Sequence, residues 1–265
     1  MISTLSRRLL AAFTLLACLF SVAPVLVIVI ESLTVTDYIV FPPPSLGFKW
    51  YAELAKRPEF IESTVISVVV AVCASLAATV LGTMVAIALV RHRFAGSRML
   101  QTLFLSPLSL PGLIFGLALL QFLARTGLPR NVVTMTLAHI IITMPFAIRF
   151  VTVALLALDR NLELAAQSLG ASRLATFRHV TLPLIRPGMV ASLVFAFIIS
   201  FDEVAASLFV ASASAMTLPV RIYTYIDQNY DPLVTAVSSL MVLAAVAALV
   251  LIERSIGVGR LFGLK

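Results

Sequence analysis

Residues 159–188 read DRNLELAAQSLGASRLATFRHVTLPLIRPG, from Asp159 to Gly188. The stretch is too polar to cross a membrane and too regular for an unstructured linker. Residues 161–169 are strong helix formers and small residues, with Asn161 placed to cap the start and Gly170 to end it. Ser172 can cap a second short helix, in which Leu174, Phe177 and Val180 share an apolar stripe. Pro183 is expected to end that pattern, and Pro187 to sit in the first turn of the next helix. The reading is helix, glycine turn, helix, with Ala165, Ala166, Gly170 and Ala171 at an elbow where small side chains let another backbone approach closely. An amphipathic connector lying on lipid headgroups fits the same residues, and Arg173, Arg178 and Arg186 suit either arrangement.

On both sides of this stretch the chain turns apolar. Runs at about 9–30, 62–90, 100–123, 132–157, 190–210 and 233–252 are each of the order needed to span a bilayer, which takes about 20 residues. Backbone amides in hydrocarbon must be satisfied within their own segment, so each run is expected to be a helix, about six in all. Composition agrees. Of the 265 residues, 61% are hydrophobic and 12% charged, against about 25% charged in a soluble domain. Mean hydropathy is +1.09. A soluble enzyme, a disordered chain and a secreted disulfide scaffold are excluded. The two cysteines, Cys18 and Cys73, lie inside apolar runs and read as small buried residues.

The net charge of +7 reflects Lys/Arg in loops on one side of the membrane, not a nucleic-acid surface; the opposite loops hold Lys49, Lys56, Arg57, Arg125, Arg130 and Arg221, offset by acids such as Asp37, Glu53, Glu59, Asp227 and Asp231, with Arg125 and Arg130 as minor exceptions to the rule. Arg7 and Arg8 precede the first run; Arg91, Arg93 and Arg98 follow the second. Arg160, Arg173, Arg178 and Arg186 fill the loop after the fourth, and Arg254, Arg260 and Lys265 follow the sixth. The positive-inside rule puts these segments, and both termini, in the cytoplasm. The first run reads as a retained helix, because it continues past Cys18 to Ile30 with no polar region after the cysteine. The outer loop from about 32 to 60 holds Phe41-Pro42-Pro43-Pro44, which favours an extended path. Phe48, Trp50 and Tyr51 follow it, as an aromatic belt at the lipid interface would.

The pattern Ala165-Ala166-x-x-x-Gly170-Ala171, then Val180-x-Leu182-Pro183 and Pro187-Gly188, resembles the "EAA" loop of ABC-importer permeases. In that family the loop carries a coupling helix that docks in a groove of the ATPase subunit. The resemblance implies a coupling role for Ala165, Ala166, Gly170, Ala171, Phe177, Leu182, Pro183, Pro187 and Gly188. The position of the family's glutamate is Leu164 here, and Glu163 sits one residue earlier, about 100° round the helix. No role for Glu163 is therefore carried over.

Further along, Ser200-Phe201-Asp202-Glu203, Leu208-Phe209, Thr217-Leu218-Pro219, Asp231-Pro232 and Ala236-Val237-Ser238-Ser239-Leu240 are similar to spermidine/putrescine-type permeases, as is the Pro-rich outer segment leading into Phe48-Lys49-Trp50-Tyr51. The resemblance implies an all-α integral membrane protein with the MetI-like type I ABC-importer permease fold. It divides into a first helix and Pro-rich periplasmic loop over 1–60, a core permease domain over 61–252 and a cytoplasmic tail over 253–265. It also implies a second permease subunit, two cytoplasmic ATPases carrying ATP and Mg, a periplasmic substrate-binding protein, and a place in the bacterial inner membrane. The implied cargo is a polyamine or related small organic cation; relatives of the pattern also take amino-acid derivatives and phosphonates.

The residues themselves supply no catalytic constellation. There is no Gly-x-x-x-x-Gly-Lys-Ser/Thr loop, so ATP must be hydrolysed elsewhere, and Gly257, Gly259 and Gly263 have the wrong spacing for a dinucleotide loop. His92, His139 and His179 are scattered, with no metal-ligand spacing. His139, inside an apolar run, suits an interhelical hydrogen bond. Asp202 and Glu203 interrupt the fifth run, and a charge at mid-membrane costs about 2.5–3.5 kcal/mol on insertion scales. They suit either a cation-attracting element on a translocation path or a structural partner for a basic group. Arg149 reads as snorkelling to the interface. A secondary transporter or channel and a membrane-embedded enzyme are the competing readings. The first would work without an ATPase and tolerate loss of Gly170. The second would need a nucleophile elbow, which the sequence lacks.

Overall fold

The computed structural model describes residues 4–92 and 94–256. Arg93, Arg260, Lys265, the glycines from Gly257 on and the Arg254 side chain lie outside the described residues. All regular elements among the described residues are helical. The chain divides into two compact units, one from Ile61 to Arg221 and one combining Met1–Phe60 with Ile222–Lys265.

In the combined unit, α1 (Thr4–Glu31) and α12 (Leu233–Ile256) pack together, and α12 also meets the short α2 (Lys49–Ala55). The Pro-rich segment between α1 and α2 is non-helical, as three prolines require. Trp50 does not face outward, as a belt residue would. It is buried, and its indole N–H donates to the Thr36 carbonyl at 3.0 Å. Tyr51 makes a hydroxyl chain to Ser32 (2.7 Å) and Ser239 (2.7 Å), which ties α2 to the ends of the two long helices. Both aromatic rings carry a polar handle that needs a partner once buried, and this fold provides it.

The second unit is organised around α6 (Val132–Ala157). Asn131 opens α6 with a capping box, accepting from the Val133 and Thr134 amides while the Thr134 hydroxyl accepts from the Asn131 amide. α3 (Pro58–Arg91) approaches α6 where Gly82 faces Ala147; a Cβ on Gly82 would stand 2.7 Å from the Ala147 Cβ. α9 (Leu182–Asp202) approaches α6 at Gly188, where a Cβ would stand 2.5 Å from that of Ala154. In lipid the hydrophobic effect does not drive helices together, so such small-residue contacts and interhelical hydrogen bonds hold the bundle. Thr79 on α3 and Ser192 on α9 supply one such bond at 3.0 Å. Ala86, Val151, Leu155 and Ile185 form a buried cluster where the three helices meet.

The third apolar run is not one helix. α4 (Ser97–Leu105) and a 3₁₀ turn (Ser106–Ser109) are bent by 108° from α5 (Gly112–Thr126). Pro107 and Pro111 remove two amide donors, and Leu110 between them is extended. Among the described residues, four helices are long and apolar enough to cross a membrane, or five if the bent pair is one span; α12 adds a shorter apolar stretch, Leu233–Ala247. Cys18 and Cys73 are free and exposed, not buried as the sequence suggested: they sit on outward faces of long apolar helices.

Candidate functional site

The loop after α6 folds as a helix, a tight turn and a second helix. α7 spans Arg160–Ser168. Its cap is Asp159, not Asn161: the Asp159 carboxylate accepts from the Asn161 amide at 2.9 Å. An aspartate one residue outside the helix also faces the positive end of the helix dipole. Gly170 ends α7 with φ +90°. The Gly170 amide donates to Gln167 O and the Ala171 amide to Ala166 O, both at 3.0 Å. These two bonds are a Schellman closure, which requires a left-handed residue at the position Gly170 occupies. A Cβ on Gly170 would meet nothing within 4 Å, so the glycine serves the backbone of its own turn.

Ser172 caps α8 (Arg173–Thr176), its hydroxyl accepting from the Ala175 amide at 3.2 Å. From there the helix does not stop. A π turn (Phe177–Thr181) leads straight into α9, giving one helical run from Arg173 to Asp202. Pro183 therefore does not end the helix. It sits in the first turn of α9, where the π turn has already shifted the hydrogen-bond ladder, and Pro187 lies one turn inside. The expected Leu174–Phe177–Val180 stripe is split: Leu174 is 75% exposed, and Phe177 and Val180 are half-buried.

Ala165, Gly170, Pro183 and Pro187 are exposed, and Ala166, Ala171, Phe177 and Leu182 are half-buried. The elbow also bears exposed leucines: Leu162, Leu164, Leu174 and Leu169, the last 90% exposed. Gly188 sits apart from the elbow, in the α6–α9 contact.

Glu163 turns away from that exposed surface. Its Oε1 lies 3.0 Å from Arg91 Nη2 at the end of α3 and accepts from the Thr181 hydroxyl at 2.7 Å. Only 17% of the Arg91 side chain and 13% of the Glu163 side chain are exposed. One carboxylate oxygen thus joins α7 to α3 and to the π turn that leads into α9.

Asp202 and Glu203 do not interrupt α9; they terminate it. Asp202 is the last helical residue and is exposed, while Glu203 is extended. The Glu203 carboxylate accepts from the Ala206 amide at 2.8 Å, in the corner just before the short α10 (Ser207–Val210). This corner is pinned to α6 by His139, whose Nδ1 and Nε2 lie 2.7 Å from Ser200 and 2.8 Å from Ser207. His139 thus makes the interhelical bonds its place in the sequence suggested. α10 lies against α5 at Gly116, where a Cβ would stand 2.8 Å from the Ala206 backbone. α11 (Leu218–Gln228) follows, its first amide donating to Ser67 on α3 at 2.7 Å.

The site is thus an exposed glycine elbow carried on the start of a long apolar helix. The family described as the binding-protein-dependent transport system inner membrane component matches residues 78–256. The chain belongs to that family. It is 34% identical to the putrescine transport system permease protein PotI of Escherichia coli (strain K12), over 86% of this chain and 83% of that one. It is 28% identical to the spermidine/putrescine transport system permease protein PotC of Haemophilus influenzae, over 91% and 93% respectively. In fold it is similar to a crystal structure of a bacterial ABC transporter involved in import of the acidic polysaccharide alginate, with TM-score 0.71, 16% identity and coverage of 97% and 99%. The chain is an inner-membrane permease subunit of a binding-protein-dependent transport system, all-α among its described residues.

The sequence carried no role to Glu163, because its partners Arg91 and Thr181 lie 72 and 18 residues away along the chain.

Proposed function

We propose that this permease subunit carries polyamines such as putrescine and spermidine, or a closely related small organic cation, into the cell, driven by ATP hydrolysis on a partner. The observation that carries the reading is the 34% identity with the putrescine permease along 86% of this chain. In the working assembly this chain and a second permease subunit enclose the path. Two ATPases carry ATP and Mg on the cytoplasmic face, and a binding protein delivers substrate from outside. Both termini face the ATPases.

The 159–188 loop is the docking element. Leu164, Leu169 and Leu174 present apolar surface that its own unit leaves uncovered, around a turn that Gly170 holds tight. Closure of the ATPases would move this loop and switch the path between outward and inward access. Asp202, exposed at the end of α9, suits attraction of a cationic substrate, whereas the Glu203 carboxylate is engaged by the Ala206 amide. Of the two, Asp202 is the residue we assign to the path.

The test of docking is co-purification of the ATPase with membranes carrying the double substitution Leu169→Asp and Leu174→Asp. Loss of the ATPase from a correctly inserted permease is expected. Retention at the wild-type level, with uptake intact, would remove the loop from the interface.

A further inference from the structure

Glu163 lies in the docking loop but faces the membrane-spanning helices, and its partners come from two of them. Arg91 is the last residue of α3, whose other end begins at Pro58. Thr181 is buried and closes the π turn that feeds α9. The Arg91 Nε is also buried and makes no hydrogen bond, so the guanidinium is held on this side by Glu163 through Nη2. A charged hydrogen bond of this kind, largely withdrawn from water, is stronger than a neutral one and resists separation of its ends. α7 has few other ways to grip the bundle: it is capped by its own Asp159, and its apolar residues Leu162 and Leu164 are exposed.

We propose that Glu163 is a positioning residue for transport: a strut that fastens α7 to the cytoplasmic end of α3 and to the root of α9. A displacement imposed on the elbow then passes to two spanning helices together. Without the strut the elbow moves and the helices lag, so ATP is hydrolysed with little transport. The inference rests on the docking role proposed for the loop, and chains of hydrogen bonds and ion pairs between rigid elements are one carrier of such coupling. The π turn lies beside the strut and interrupts the regular helical ladder at the root of α9.

The experiment uses the complete complex with its binding protein in proteoliposomes, and reads molecules of labelled putrescine imported per ATP hydrolysed. Glu163→Gln keeps the shape and an acceptor for Thr181 but removes the charge. It is expected to lower the ratio roughly fivefold while the ATPase stays bound, and the exchange Arg91→Glu with Glu163→Arg is expected to restore at least half of it. An unchanged ratio in Glu163→Gln overturns the strut. So does a lowered ratio that the charge exchange fails to restore, since that marks local packing alone. If Glu163→Gln fails to assemble, Thr181→Val carries the test: a ratio lowered about twofold supports the strut and an unchanged one overturns it. Failure of the docking role is seen separately, as ATPase retention in the Leu169→Asp and Leu174→Asp variant.

Discussion

Gly170 and His139 are single residues whose loss should separate folding from transport. Gly170 sits at φ +90° in open space, so a bulky replacement meets no neighbour but forces a side chain into the left-handed region, at roughly 1–2 kcal/mol. Gly170→Val is expected to leave the protein inserted and abolish uptake, because the Schellman closure that shapes the elbow opens. Immunoblots of washed membranes beside uptake assays check this, and normal uptake would mean that the turn is not what the partner reads. His139 has the opposite profile. Both ring nitrogens are bonded within the bundle, and Ala at this position leaves Ser200 and Ser207 to find other partners, at about 1–3 kcal/mol. His139→Ala should lower the thermal midpoint in detergent by several degrees. At the same scale, Asp202→Asn is expected to weaken polyamine uptake severalfold without loosening assembly, whereas Glu203→Gln retains an acceptor for the Ala206 amide and should act less. Equal uptake in wild type and Asp202→Asn would take the carboxylate off the path.

Among the elements, the contact of α6 with α9 decides the second unit. Gly188 places the α9 backbone against α6, with Phe150 O only 3.0 Å from where a Cβ would be. Gly188→Leu would overpack that contact by several heavy atoms, and overpacking costs about 1–3 kcal/mol. The expected result is poor accumulation and a lower unfolding temperature, not a folded but uncoupled protein. This is also where sequence reading reached its limit. The apolar runs, the glycine stop and the Ser172 cap follow from local chemistry, and local chemistry was enough to find them. Pro183 and Pro187 misled, because a proline in the first turn of a helix and one breaking a helix look alike without the preceding π turn. Asp202 and Glu203 misled in a similar way: hydropathy places them inside a run, but the run is a helix end, a corner and a short helix in succession. The Glu163–Arg91 pair joins residues 72 apart in sequence, a separation no periodicity reports.

For the whole molecule, we propose that this chain and a companion subunit form the membrane path of an ATP-driven, binding-protein-dependent polyamine importer. The measurement that tests it most directly is uptake of labelled putrescine and spermidine by proteoliposomes holding this permease with its companion subunit, ATPases and binding protein. The expected result is accumulation that stops when either ATP or the binding protein is left out. Complexes that hydrolyse ATP in response to the binding protein yet accumulate neither polyamine would contradict it, and accumulation that persists without ATP would contradict the machine itself.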